Sequence, residues 1–295
     1  MAFDNLILIG DRINPQGFKS TARMIEEEDF AGLQALAVKQ VEAGSGFIDV
    51  TVGPRAYDDP AFLQKVVVAL QDVIDVPLCF DYPVKRIVES CLQVYDPARA
   101  GGSAPLVNSF AETRMEMFEL FDTAPCKVVI MASEYLGENG QPKSSKQSSE
   151  VVSVARRLFN KLVNEHGLKH DDIFVDITIN SLVSDTEGLT RMALTAIREI
   201  GSDPEMKGVH IIGGLTNIGN MLPKIEFDGM SLRHCMENAF LTRAVPLGFD
   251  TVLGTPWNDF RPLPEGHPVL TTFDEVIELK GLDAMRRLRQ LWAKK

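Results

Sequence analysis

Cysteine is scarce in this sequence, and none of it is paired by spacing. The four cysteines, Cys79, Cys91, Cys126 and Cys235, form no C-x-x-C motif, so neither a disulfide framework nor a thiolate zinc site is expected; reduced thiols in a cytoplasmic protein fit the pattern. The five histidines, His166, His170, His210, His234 and His267, show no H-x-H or H-E-x-x-H spacing, which argues against a zinc hydrolase and predicts no metal bound by the chain. Adjacent His234 and Cys235 read as ordinary helix residues, because neighbouring helical positions do not face one another. Long apolar runs are missing as well. Stretches such as 66–70 stop far short of the roughly 20 residues a membrane span needs, and no basic segment precedes the short apolar start of the chain, so a soluble, unexported protein is expected. There is no Lys/Arg block, and 41 acidic against 30 basic side chains leave a net charge of −11, which disfavours a nucleic-acid partner. Also missing are a G-x-G-x-x-G fingerprint after a strand, a phosphate-binding G-x-x-x-x-G-K-[ST] loop and a G-x-S-x-G elbow.

What the sequence does contain is alternation. Short apolar, β-rich runs occur at 6–9, 47–52, 76–80, 105–107, 128–131, 173–175, 209–212 and 251–253, with helical spacing between them. Leu33, Leu36, Ala37 and Val41 lead to Gly44, a helix stop of the left-handed kind. Ser184, Asp185, Thr186 and Glu187 read as a capping box opening a helix that carries Leu189, Met192, Ala193 and Ile197 and closes at Gly201. Alternating strands and helices demand a parallel sheet, and eight units of about 30 to 40 residues match a closed (β/α)8 TIM barrel, here as one domain over 1–295. The polar stretch 137–149 reads as one long loop after the fifth strand, and the loop 133–149 that contains it as a mobile segment, a candidate lid or docking site. The segment bearing Val276, Leu279, Leu282, Met285, Leu288 and Trp292 reads as the last outer helix, interrupted by Gly281, with a possible dimer face.

A parallel barrel gathers the carboxyl ends of its strands around one mouth. Polar residues end the apolar runs at Asn14, Asp81, Asn108, Asp176 and Asn217. Singly, each could be a helix cap or turn residue; together they form an acceptor-rich, amide-rich set with no lysine for Schiff-base chemistry, since Lys127 falls at the start of its strand. Such a set suits a flat heterocycle whose edge offers several N–H donors, and a pterin is one. An ionised carboxylate such as Asp176 can accept two bonds from a 2-amino group and its neighbouring ring N–H, while Asn carboxamides address the mixed ring nitrogens.

At these residues the sequence resembles the corrinoid-dependent methyltetrahydrofolate methyltransferases. The matching stretches are 9–14, 48–54, 78–81, 107–109, 174–176 and 214–217, in the same order and spacing. The resemblance implies a pterin-binding barrel that exchanges a methyl group between N5 of tetrahydrofolate and the cobalt of a corrinoid (cobalamin) carried by a partner protein, as in systems that demethylate methoxylated aromatics or methylamines. It also implies a homodimer. By the same resemblance Asp81, Asn108 and Asp176 hold the pterin, with Asn14 and Asp49 beside them, and Asn217 approaches N5, where its amide can serve the departing nitrogen; an Asp49/Asp81 network or a water would deliver the proton. Asp11 stands where the family has Glu and Thr51 where it has Asn, and the segments 218–224 and 253–258 depart from the usual pattern. Two alternatives share the ring-binding residues: a dihydropteroate synthase-like enzyme, whose basic pyrophosphate motif is missing, and a non-catalytic folate-binding barrel.

Overall fold

A computed structural model describes residues 3, 5–227 and 229–293; the extreme ends of the expected 1–295 span lie outside the described residues. Eight parallel strands close into a barrel: β1 (Ile7–Ile13), β2 (Phe47–Val50), β3 (Leu78–Asp81), β4 (Leu106–Phe110), β5 (Lys127–Met131), β6 (Ile173–Asp176), β7 (His210–Gly214) and β8 (Thr251–Gly254). Each pairs with its sequence neighbours, and β1 closes the ring on β8 with Ile7 opposite Thr251 and Gly10 opposite Gly254. Helices surround this ring, so the fold is the expected (β/α)8 barrel.

Side chains alternate across a strand, and the barrel sorts them into two apolar sets. Outward-facing residues such as Ile48, Val50, Phe80, Val107, Val128, Ile130, Val175 and Val252 pack under the helices. Inward-facing Ile9, Phe47, Cys79, Leu106, Val129, Phe174 and Ile212 plug the lumen, with Leu253 against them. Phe47 and Phe174 meet edge to face at 5.9 Å, and His210 stacks on Phe174 at 4.5 Å. Lys127 sits at the closed, amino-terminal end of the barrel, bonded to Asp172 at 2.7 Å and to the Asp171 carbonyl at 3.1 Å, far from any role at the mouth.

The helices start and stop for local reasons. Asp29 caps the helix Phe30–Glu42 by accepting the Gly32 N–H at 2.8 Å, and Gly44 at φ +97 ends it as expected. Asp185 does the capping ahead of Leu189–Gly201: its carboxylate accepts the N–H groups of Gly188, Leu189 and Thr190 at 2.8, 2.8 and 2.7 Å. The expected box opening at Ser184 is therefore displaced, and the helix begins at Leu189 because Gly188, in the left-handed region at φ +84, turns the chain first. The stretch 137–149 is also more ordered than expected. Glu134–Leu136 and Pro142–Ser144 pair as an antiparallel hairpin, and Thr113 and Arg114 bind Glu134 at 2.5 and 3.2 Å. The last outer helix is two helices, Pro268–Ile277 and Gly281–Gln290, with Gly281 at φ +56 at their junction. Among the described residues no helix is long and apolar enough to cross a membrane.

Candidate functional site

The inward-facing plug determines what lies above it. Two residues further along each strand the same face reaches the mouth, and those positions are Asp11, Asp49, Asp81, Asn108, Met131, Asp176, Gly214 and Thr255. Four aspartates and an asparagine thus form one layer over an apolar floor. A cavity of about 580 Å³ opens there, lined among others by Asp11, Asn14, Asp49, Asp81, Thr216, Asn217, His234, Glu237, Thr255 and Asn258.

Of the residues expected from sequence, Asn14, Asp49, Asp81 and Asn217 line this cavity. Asn108 and Asp176 are not among its walls but adjoin it. Asn108 is the register partner of Asp81, and the Asp176 carboxyl is close enough to Asp81 for the Asp81 charge to push its pKa upward. Asn217 stands on a short turn, Leu215–Gly219, directly after β7, and accepts a 3.3 Å bond from the Asn220 amide. Gly214 makes room for it: a Cβ at that position would lie 3.0 Å from Asn217 Nδ2. Thr178, a β-branched residue at φ +53, turns its N–H onto Asp176 Oδ1 at 2.6 Å. A side chain of that type rarely occupies this region, and here the conformation orients the carboxylate.

Burial dominates the electrostatics. Asp11, Asp81 and Asp176 are each pushed up to about 6 by loss of water around the charged form, opposed by Arg12 at Asp11, by Arg114 at Asp81 and by the Thr178 N–H at Asp176. Asp49, 1% exposed, is raised well above the ordinary carboxylate range, by burial and then by the charges of Asp81 and Asp11. Its Oδ1 has no hydrogen-bond partner. A buried polar atom left unpaired costs about 1–3 kcal/mol, so this layer of acceptors is built for donors that arrive with a ligand. Among the described residues no group of His, Cys, Asp and Glu is arranged to hold a metal ion.

Four participants escaped the sequence reading as site residues, Asp11, Thr255, His234 and Glu237. Asp11 was legible as an inward residue two positions after Ile9, yet it precedes the end of its strand. Thr255 donates to Asp11 Oδ1 at 3.4 Å across the β1–β8 seam. His234, expected to be an ordinary helix residue, lies on the cavity wall, because the helix Leu232–Ala244 points its first turn at the mouth. Its partner is Glu237, at the i, i+3 spacing that does face it, at 3.0 Å; Cys235 is buried in the core.

Comparisons with known proteins agree with this geometry. A methylcorrinoid:tetrahydrofolate methyltransferase of Eubacterium limosum is 25% identical over 256 residues, covering 85% of each chain. Crystal structures of dihydropteroate synthases share the fold. The enzyme from Xanthomonas albilineans, in complex with 7,8-dihydropteroate, superposes with a TM-score of 0.56 at 13% identity, covering 99% of this chain and 96% of that one. The Burkholderia cenocepacia enzyme gives 0.54 at 17%, covering 99% and 93%. Residues 10–253 match the pterin binding enzymes, a span holding every wall residue from Asp11 to Glu237, and the chain belongs to that family.

Proposed function

We propose that this protein moves a methyl group between N5 of tetrahydrofolate and the cobalt of a corrinoid carried by a separate protein. The observation that carries the reading is the layer of buried, mutually repelling carboxylates at the barrel mouth, with Asp49 Oδ1 unpaired. A pterin edge supplies the missing donors: its 2-amino group and ring N–H groups suit Asp176 and Asp81, and Asn108 can both donate and accept beside them. Asn14 and Asp49 complete the cup. Asn217, on the wall after β7, addresses N5, where its amide stabilises the nitrogen as the methyl group leaves. Methyl transfer is an in-line displacement, so holding the ring still while the corrinoid approaches from the open mouth is most of the task. The corrinoid supplies a cobalt centre that accepts or donates the methyl group.

The relative named for methyl transfer between a methylcorrinoid and tetrahydrofolate supports this reading over that of the dihydropteroate synthases, whose likeness lies in the fold. A homodimer and a corrinoid protein partner belong to the same proposal.

The test mixes the protein with methyltetrahydrofolate and Co(I) cobalamin and follows the visible spectrum. Growth of the methylcobalamin signal supports the proposal. Folate binding without methyl transfer would make the barrel a carrier, and no binding would remove the pterin reading altogether.

A further inference from the structure

The methyl-transfer reading leaves one requirement unmet. N5 is a poor leaving group until it is protonated, and an asparagine amide has no proton to give up near neutral pH. The aspartate layer on the β2, β3 and β6 side faces the pterin edge. The opposite side of the cavity, between β7 and β1, holds a different group.

There the helix Leu232–Ala244 packs against the turn that carries Asn217, an approach made close by Gly219, where a Cβ would lie 3.1 Å from that of Arg233. Its first two turns present His234 and Glu237 to the cavity. Glu237 Oε2 lies 3.0 Å from His234 Nδ1 and accepts the Asn258 amide at 3.1 Å. His234 Nε2 lies 2.8 Å from the Asp259 carbonyl. With Nε2–H donated to the Asp259 carbonyl, and the Asn238 amide 3.4 Å from the same nitrogen, the contact between Nδ1 and Glu237 Oε2 needs one proton, which either group can carry. The side chains are 12% and 7% exposed, so the pair is held away from bulk water.

We infer that Glu237, fixed by His234 and Asn258, is the residue that exchanges a proton with N5 of the folate; the inference rests on the methyl-transfer reading. From methyltetrahydrofolate, the Glu237 carboxyl gives its proton to N5. The N5–methyl bond then breaks with its electron pair kept by nitrogen, and the methyl carbon bonds to the electron pair of a Co(I) corrinoid. Tetrahydrofolate leaves with an N5–H and Glu237 remains as the carboxylate. In the other direction the carboxylate takes the N5 proton as nitrogen attacks the methyl group. The titratable and charged groups around Glu237 are His234 and Arg233 on its own helix, Asp11 on β1 with Arg12 beside it, and Asp49 and Asp81 across the cavity. The Asp11 carboxyl registers the Glu237 charge directly.

The experiment measures the rate of methyl transfer from methyltetrahydrofolate to Co(I) cobalamin between pH 5 and 9, together with folate affinity by titration. For Glu237→Gln the expected result is a rate about 100-fold lower, folate affinity within about threefold of wild type, and loss of one limb of the pH profile. For Asn258→Ala, which removes one of the contacts that fix the carboxylate, the rate falls by about tenfold while folate affinity stays within about threefold. A Glu237→Gln rate within about threefold of wild type, or a loss that falls entirely on affinity, overturns the inference. So does a wild-type rate in Asn258→Ala, and that variant decides the matter if Glu237→Gln fails to fold. A wild-type protein that binds no folate overturns the methyl-transfer reading and this inference with it. A wild-type protein that binds and transfers, with both variants behaving as wild type, overturns this inference alone.

Discussion

Asp81 at the end of β3 stands opposite Asn108 of β4 in the parallel register. A carboxylate that only accepts and a carboxamide that does both thus share one edge of the mouth, which is the pairing a heterocycle with mixed ring nitrogens requires. Neither residue is bonded to the other in the hydrogen-bond network, so both remain available to a third party.

Asn217 is the residue expected to act in the transition state more than in binding. Asn217→Ala should lower the rate of methyl transfer by about 10²- to 10³-fold, a loss of roughly 2 to 4 kcal/mol. Folate affinity should stay within about tenfold. Stopped-flow rates beside a binding titration test this, and equal losses in both would contradict the assigned role.

The pocket should weaken the ligand-free fold at neutral pH. The Asp176 carboxyl sits at about 6 in the folded protein against an ordinary 3.8, so between those values the folded state binds more protons than the unfolded one. Its contribution to stability is therefore fully present below about 4 and lost as pH rises through 6. Asp176→Asn should melt several degrees higher than wild type at pH 7.5, with the gap closing near pH 4, while folate binding weakens by about tenfold or more. A lower melting temperature at pH 7.5, or unchanged affinity, would remove Asp176 from the described role.

Gly214 keeps space for the Asn217 amide. Gly214→Ala places a methyl group 3.0 Å from Asn217 Nδ2, and the flexible end of the side chain must move. Methyl transfer should fall by about tenfold, since small misplacements of a catalytic group are costly, with the melting temperature nearly unchanged. A wild-type rate would show that Asn217 tolerates the shift.

Asp185 offers a control outside the pocket. Its carboxylate satisfies three backbone N–H groups at the start of the helix Leu189–Gly201. Asp185→Ala should cost about 1–2 kcal/mol of stability, visible as a lower denaturant midpoint. Transfer activity of the folded fraction should be unaffected.

Most of the barrel was legible because its strands are uniform apolar runs and its helices carry their own punctuation, such as Asp29 before Phe30 and Gly44 after Glu42. The cavity was legible only where a polar residue terminates a run: Asp81 and Asp176 announce themselves, and Asn217 follows a pair of glycines. Asp11 was passed over because β1 continues past it to Ile13, although the two-residue step from Ile9 marks it as inward. His234 was hidden by its neighbour. The adjacent Cys235 invited a reading of the two together, whereas on a helix the meaningful partner is Glu237. The hairpin at 134–144 was obscured by Gly137, Gly140 and Pro142, whose turn chemistry resembles an irregular loop until the two short strands are seen to pair.

The bond between Thr255 and Asp11 joins residues 244 positions apart. On the ribosome, the first wall of the cup is therefore made long before the last one emerges, and a nascent chain arrested ahead of residue 251 has every acceptor from Asp11 to Glu237 yet no closed rim to hold them in place. A ligand that needs the whole rim, as the proposed folate would, can thus be gripped only once the two ends of the chain have met.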